Sequence, residues 1–400
     1  MKKNLSLAKR AGLVSPSLTL AITAKVKEMR EKGVDVIGFG AGEPDFDTPP
    51  HIKEEAKKAI DDGFTKYTPS SGIKELKEAI SKKFKEDNGL NYNLSQIIIS
   101  CGAKQCLYNA IQVICEEGDE VILPSPYWVS YIEQIKLSGA VPRILETKEE
   151  DGFKINPRIL SSCITPKTKL LILNSPNNPT GAVYSKDELK SIAEIAVKNN
   201  IHIISDEIYE KIIYDVKHTS IASLNPEIKD LTIVINGVSK TYSMTGWRIG
   251  YAGGKEEIIK AMSNLQSHST SNPTSFAQKG ALAAISGPQD SVIKMRSEFK
   301  KRRDYMIKKL NQIPGISCTK PSGTFYLFPN VSGILGRSFN KEKIRNSLDL
   351  TEFLLKEAKV AVVPGVAFGA ENYIRLSYAT SMDNIIKGVD RLKKAISKLF

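Results

Sequence analysis

Long apolar runs are missing from this 400-residue chain: no stretch approaches the ~18 uninterrupted apolar residues of a membrane-spanning helix, which excludes a transmembrane segment. Cysteine is sparse. Cys101, Cys106, Cys115, Cys163 and Cys318 form no C-x-x-C pair and stand at no metal-binding spacing from a histidine, so neither a disulfide framework nor a metal site is expected. Histidine is rarer still. His51, His202, His218 and His268 lie far apart with no H-E-x-x-H pattern, which leaves packing and surface roles for them. No repeat of fixed period and no low-complexity linker occurs, so any domains must be interleaved or closely packed.

The N-terminus, MKKNLSLAKRAGLVSPS, is basic and hydroxyl-rich but lacks the apolar core and small-residue cleavage site of a secretory signal. A helix-like run follows almost at once, so the segment reads as mature protein, and the cytoplasm is the expected location. The formal net charge is +13. Clustered Lys and Arg would suggest a nucleic-acid partner. Here KEMREK, KEEAKK and KKFKED mix both signs, as solvated helix faces do, and no nucleic-acid partner is expected. The excess positive charge favours anionic substrates by long-range steering.

What is present is an alternation of two periodicities. Helical spacing fits 50–62, 72–88, 103–117 and 185–199. The short runs IIIS (97–100), EVILP (120–124), KLLILN (169–174), IHIIS (201–205) and LTIVIN (231–236) read as strands buried on both faces. Such strands belong to a mainly parallel sheet covered by helices, an α/β fold. Working residues in these sheets follow the carboxyl ends of the strands. There the sequence turns to PSPYW, SPNNPTG, DEIYE and GVSKTYS. From about residue 300 the pattern changes to a long basic helix, short strands (SGTFYLF, VAVVPG, YIRLSYA) and a closing helix at 383–399. The expected division is a large domain at 49–300 and a smaller α+β domain at 301–400, joined by the N-terminal segment 14–48.

The segment NGVSKTYSMTGWRIGY (236–251) carries the most chemistry. A lysine is ordinarily a surface residue. Lys240 instead follows a buried strand, beside Ser239 and eight positions before Arg248. That setting fits an amine that condenses with an aldehyde next to a phosphate: burial keeps the amine reactive and the guanidinium forks onto phosphate oxygens. A pyridine-type cofactor also needs an anion at its ring nitrogen. Asp206, at the end of strand IHIIS, is the candidate; capping a helix over EIYEKI is its other reading. Asn178 in SPNNPTG can donate to a ring oxygen or simply build a turn. Tyr209 offers a second hydroxyl. The loop Cys101-Gly102-Ala103-Lys104 opens a helix whose backbone amides can meet a phosphate.

Taken together these segments resemble the class I aminotransferases, fold-type I pyridoxal-phosphate enzymes, and within them the bacterial aspartate and aspartate/prephenate branch. The resemblance spans nearly the whole chain. AGEPDFDTP (41–49), FTKYTPSSG (64–72), PYWVSY (126–131), NSPNNPTGAVY (174–184), SDEIYE (205–210), SKTYSMTGWRIGY (239–251) and VAVVPG (360–365) carry it. It implies that Lys240 is the catalytic base and the residue linked to pyridoxal 5'-phosphate, with Asp206 at the ring nitrogen. It also implies Asn178 and Tyr209 at the 3-oxygen, Trp128 stacked on the ring, and Gly102, Ala103, Ser239 and Arg248 at the phosphate. Tyr67 would reach the phosphate of the other subunit of a homodimer. Arg375 would clamp the substrate α-carboxylate with Asn178 and Trp128 alongside and Gly42 closing over it, and Thr19 and Lys104 would meet the distal carboxylate. The implied activity is aspartate transamination, with prephenate as a further acceptor. One departure is visible: many relatives have a serine where this chain has Gly237, which removes one phosphate contact. A lyase of the same fold and an aminotransferase-like regulator are the competing readings. The regulator would need a DNA-binding module before residue 14, and none is expected there.

Overall fold

The computed structural model describes residues 7–400. The mature-protein reading of the N-terminus therefore falls partly on residues 1–6, outside the described residues. A seven-stranded sheet forms the centre. In spatial order its strands are Ile97–Ser100, Gly250–Gly253, Thr232–Gly237, His202–Asp206, Thr168–Asn174, Glu120–Ser125 and Val141–Glu146. All neighbouring pairs are parallel except those made by Gly250–Gly253, which runs against both of its neighbours.

Side-chain alternation explains why these strands read as unbroken apolar runs. Ile98, Val121, Leu123, Ile172, Ile204 and Ile235 point to one face, where they pack on Leu107, Ile111, Ile135 and Met262. Their neighbours point the other way: Ile97, Ile99 and Val234 meet Ile52, Leu76 and Ala281, while Ile122, Leu171, Leu173 and Ile203 meet Leu189 and Ile192. Both faces are thus dry, and each fully buried Leu or Ile contributes roughly 1.5–3 kcal/mol. The flanking helices Pro50–Asp61, Lys74–Asn88, Ala103–Ile114 and Lys186–Lys198 begin and end close to the ranges the periodicity predicts.

A separate core gathers residues distant in sequence. Ile37 and Phe39 pack with Phe299, Phe325, Leu350, Ile374, Leu392 and Ile396. The short strand Ile37–Gly38 pairs in parallel with Val360–Ala361, so the chain's beginning is stitched to its end. The long basic helix runs Asp290–Leu310, starting ten residues before the pattern change read at about 300. Its first turns carry DSVIKM, whose Val292 and Met295 face the cores on either side. No helix of the described residues is long and apolar enough to cross a membrane.

Candidate active site

The carboxyl ends of the parallel strands open into a cleft of about 390 Å³. Lys240, Asp206, Asn178, Tyr209, Ser239, Arg248, Ala103, Lys104, Trp128, Gly42, Thr19 and Arg375 all line it. Gly102 lies directly behind Arg248. Tyr67 is not among the lining residues; it stands 90% exposed on the surface.

Asp206 ends its strand in the buried floor. Tyr131 donates to its Oδ2 at 2.6 Å and the Ile208 amide donates to its Oδ1 at 3.3 Å. Burial pushes its carboxyl up to about 6, against the pull of the Tyr131 hydrogen bond. The capping alternative fails, because residues 208–211 form a turn rather than a helix. Glu207 and Glu210 are drawn away from helical geometry into a buried cluster. Glu207 accepts from Ser205, Ser220 and His218, and Glu210 pairs with Lys83 and accepts from Asn88. Among the described residues Glu207, Glu210 and His218 are the one set at metal-binding distances. Lys83 already supplies a cation there.

Lys240 Nζ donates to the Gly42 carbonyl. Burial pushes its amine down to about 8, while the Glu43 carboxylate works in the opposite direction. A lysine so placed is a usable base near neutral pH.

At one side of Lys240 lies an anion cradle. Helix Ala103–Ile114 opens with Gly102 at φ +90°, and its first amides have no intrahelical acceptor. A Cβ at Gly102 would come within 2.4 Å of Arg248 Nη2, so only glycine lets the guanidinium cross this helix start. A Cβ at Gly250 would meet the Ala103 nitrogen at 2.1 Å, which fixes small residues on the antiparallel strand as well. Arg248 is anchored on the Thr245 carbonyl at 2.8 Å, and its own backbone is left-handed at φ +57°. Gly237 is likewise tight: a Cβ there would sit 3.0 Å from both Gly250 Cα and the Ile249 carbonyl. A serine would crowd this strand pair.

At the other side stands Arg375. It is buried between the rings of Tyr326 at 4.3 Å and Phe368 at 5.0 Å. Nη1 donates to Asn178 Oδ1 at 3.0 Å and Nη2 to the Gly40 carbonyl at 2.9 Å. Its Nε is buried without a partner, a donor left for a ligand. Asn178 is itself held by Asn174, whose Oδ1 accepts the Asn178 amide at 2.8 Å.

The mouth is made differently. Helix Leu18–Glu31 brings Thr19, with Ser17 Oγ 2.9 Å from Thr19 Oγ1. Lys104 lies with Nζ 4.8 Å from the Trp128 ring centroid, and burial pushes its amine down, with Arg248 adding to the effect.

Among the lining residues that escaped the sequence reading, Tyr326, Tyr131 and Glu43 bond to others in the cleft. Tyr326 bonds Tyr209 across 3.0 Å between hydroxyls and lies under Arg375; Tyr131 holds Asp206; Glu43 accepts from Thr245 at 2.7 Å. SGTFYLF and PYWVSY contain the tyrosines, but partners 117 and 75 residues away leave no local signal.

Comparison with known proteins gives the family and the fold. The family described as aminotransferase class I and II matches residues 34–392. The aspartate aminotransferase of Geobacillus stearothermophilus is 54% identical over 391 residues, covering 98% of each chain. A probable aspartate/prephenate aminotransferase of Aquifex aeolicus is 51% identical over 98% of this chain and 99% of its own. Among solved structures, the Thermus thermophilus aspartate aminotransferase with maleate superposes at a TM-score of 0.93 with 42% identity, covering 98% of this chain and 100% of the other. With Lys240, Asp206 and Arg375 converging at the strand ends, and with a family match over most of its length, this chain belongs to the class I and II aminotransferase family.

Proposed function

We propose that the protein is a pyridoxal 5'-phosphate-dependent aspartate aminotransferase that also converts prephenate to arogenate and works as a cytoplasmic homodimer. The observation that carries the reading is the meeting of Lys240, Asp206 and Arg375 in one cleft. The residues fit the cofactor. The glycine-dependent cradle of Gly102, Ala103, Ser239 and Arg248 suits a phosphate, Asn178 and Tyr209 suit the 3-oxygen, and Trp128 offers a ring face. When bound, pyridoxal phosphate supplies an aldehyde that exchanges amino groups and a protonated ring that withdraws electrons from the substrate Cα.

The chain's own residues do the rest. Arg375 binds the α-carboxylate, using the unpartnered Nε, with Asn178 beside it and the Gly42 loop closing over it. Lys240 Nζ removes the Cα proton and, once protonated, delivers it in the return step. Asp206 holds the positive charge at the ring nitrogen. One cleft serves donor and acceptor in turn, so the first product leaves before the second substrate enters, which is ping-pong kinetics. In this reading residues 49–300 hold the cofactor, and 301–400 with 14–48 supply the carboxylate clamp.

For the distal carboxylate we assign Thr19 and Lys104 at the mouth. An ammonium on a flexible stem tolerates acids of different length better than a guanidinium fork does. The Thermus relative was solved with maleate, a dicarboxylate, and the Aquifex relative is named for prephenate. The exposed Tyr67 is assigned to the phosphate of the partner's site, consistent with the two-fold symmetry usual for soluble oligomers.

A coupled acceptor panel on purified enzyme tests the proposal. With aspartate or glutamate as donor, turnover is expected with oxaloacetate, 2-oxoglutarate and prephenate. Failure with prephenate alone restricts the enzyme to aspartate and 2-oxoglutarate, and failure with every dicarboxylic acceptor overturns the assignment.

A further inference from the structure

Helix Val129–Leu137 begins one residue after Trp128, and its third residue, Tyr131, is almost fully buried. The Tyr131 amide donates to the Trp128 carbonyl at 3.1 Å, and the two rings meet edge to face at 5.3 Å. Its hydroxyl donates to Asp206 Oδ2 at 2.6 Å. One side chain therefore touches both of the groups that the preceding reading assigns to the cofactor ring: the indole at its face and the carboxylate at its nitrogen. We propose that Tyr131 is a positioning residue that fixes Asp206 and Trp128 relative to each other and keeps the Asp206 carboxylate ionised.

The surroundings explain why such a donor is needed. Asp206 is a buried carboxylate with Cys106 and Glu207 nearby, Tyr209 on the same turn and Lys240 across the cleft. Of these only Lys240 is cationic, and it spends its own hydrogen bond on Gly42. Glu207 makes ionisation harder. Among the described residues, the donors that touch the Asp206 carboxylate oxygens are Tyr131 and the more distant Ile208 amide at 3.3 Å. Committing Oδ2 to Tyr131 also fixes the carboxylate's rotation. Burial holds the Tyr131 phenol far above its ordinary range, so it stays a donor throughout the working pH.

Tyr131→Phe keeps the ring packing on Trp128 and removes only the hydroxyl. Tyr214→Phe is the control, since it also removes a buried 2.6 Å hydroxyl bond, to the Thr324 carbonyl, away from the cleft. Three readouts on the cofactor-loaded proteins decide: the pH profile of kcat, the pH titration of the bound-cofactor absorbance, and cofactor affinity by equilibrium dialysis. In Tyr131→Phe the acid limb of kcat is expected to move up by about one pH unit, with cofactor binding about tenfold weaker. The absorbance titration should move in the same direction. Tyr214→Phe should change thermal stability without moving any of the three. If Tyr131→Phe moves them no further than the control does, Tyr131 is packing only and the proposal is overturned. If the wild-type protein itself shows no pyridoxal absorbance after incubation with the cofactor, the underlying reading falls and this one falls with it.

Discussion

At the floor of the cleft Asp206, Asn178 and Arg375 are each buried; Arg375 bonds Asn178 directly, and Asp206 and Asn178 are held by Tyr131 and Asn174. At its mouth Thr19 rides on a helix of which only Val26 is buried, and Lys104 rests on the face of Trp128. Rigid strand ends hold what the chemistry cannot vary. A lightly anchored helix and a flexible ammonium form the part that, in the proposed function, adjusts to substrates of different length. The contrast teaches that reaction and specificity are separable here, and substitutions should act on one without the other.

The sharpest break should come at the floor. Lys240→Ala is expected to lower turnover by about 10⁴-fold or more, because both the base and the covalent anchor go together. Its lysine-linked absorbance should vanish while phosphate contacts keep some cofactor bound. Turnover above a trace in the coupled assay would separate those two roles. Asp206→Ala should cost on the order of 10²–10³-fold in kcat, the scale of a lost electrostatic partner in a dry site. Near-native kcat would reduce Asp206 to a turn residue.

The floor is also held from behind. Burial pushes the Glu210 carboxyl up, but Lys83, His218 and Asn88 outweigh it and bring it down to about 2. Its stabilisation is therefore complete above the ordinary glutamate range and is lost as pH falls from about 4.5 towards 2. Glu210→Gln should cost roughly 3 kcal/mol in urea unfolding at pH 7, with the deficit shrinking through that acid window. A deficit independent of pH would show that packing, not charge, is what the cluster supplies.

Substitutions at the mouth should be selective instead. Lys104→Ala is expected to reduce kcat/KM for dicarboxylic acceptors by about 10- to 100-fold, the size of a charge-assisted hydrogen bond, and to leave an uncharged acceptor within about twofold. Equal losses would make Lys104 part of the floor. The smallest signal concerns Tyr67. Mixing Lys240→Ala subunits with Tyr67→Phe subunits should give hybrid dimers with one intact site, restoring roughly a quarter of native activity under random exchange. A mixture no more active than its parents would place Tyr67 outside any shared site.

The floor was the more legible region. Lys240, Asp206 and Asn178 follow strands whose two-sided burial leaves continuous apolar runs, and the polar text after each run points to the cleft. The strand Gly250–Gly253 left no such trace, because Gly250 must stay small against Ala103 and the segment GYAG has no apolar run. Val141–Glu146 was equally silent: it is an edge strand, part exposed, interrupted by Pro142 and Arg143. The alternative of a helix capped by Asp206 does not hold, and the carboxylates of Glu207 and Glu210 are instead taken up by the Lys83 and His218 cluster. Tyr131 and Tyr326 were hidden for a different reason, since a long-range hydrogen bond has no periodicity.

The pairing of Ile37–Gly38 with Val360–Ala361 bears on how the enzyme is made. Phe39 bonds to Ala361 and Ser377, and Gly40 accepts from Arg375. A ribosome releases the first of these partners more than three hundred residues before the last. The central sheet, complete by Gly253, has everything it needs to fold during synthesis, as units of large proteins do. Arg375 has not: until the strand Ile374–Ser377 emerges, the Gly40 carbonyl has no guanidinium to accept from. A nascent or C-terminally clipped chain would therefore carry Lys240 beside a formed sheet while the cleft still lacks the Arg375 wall.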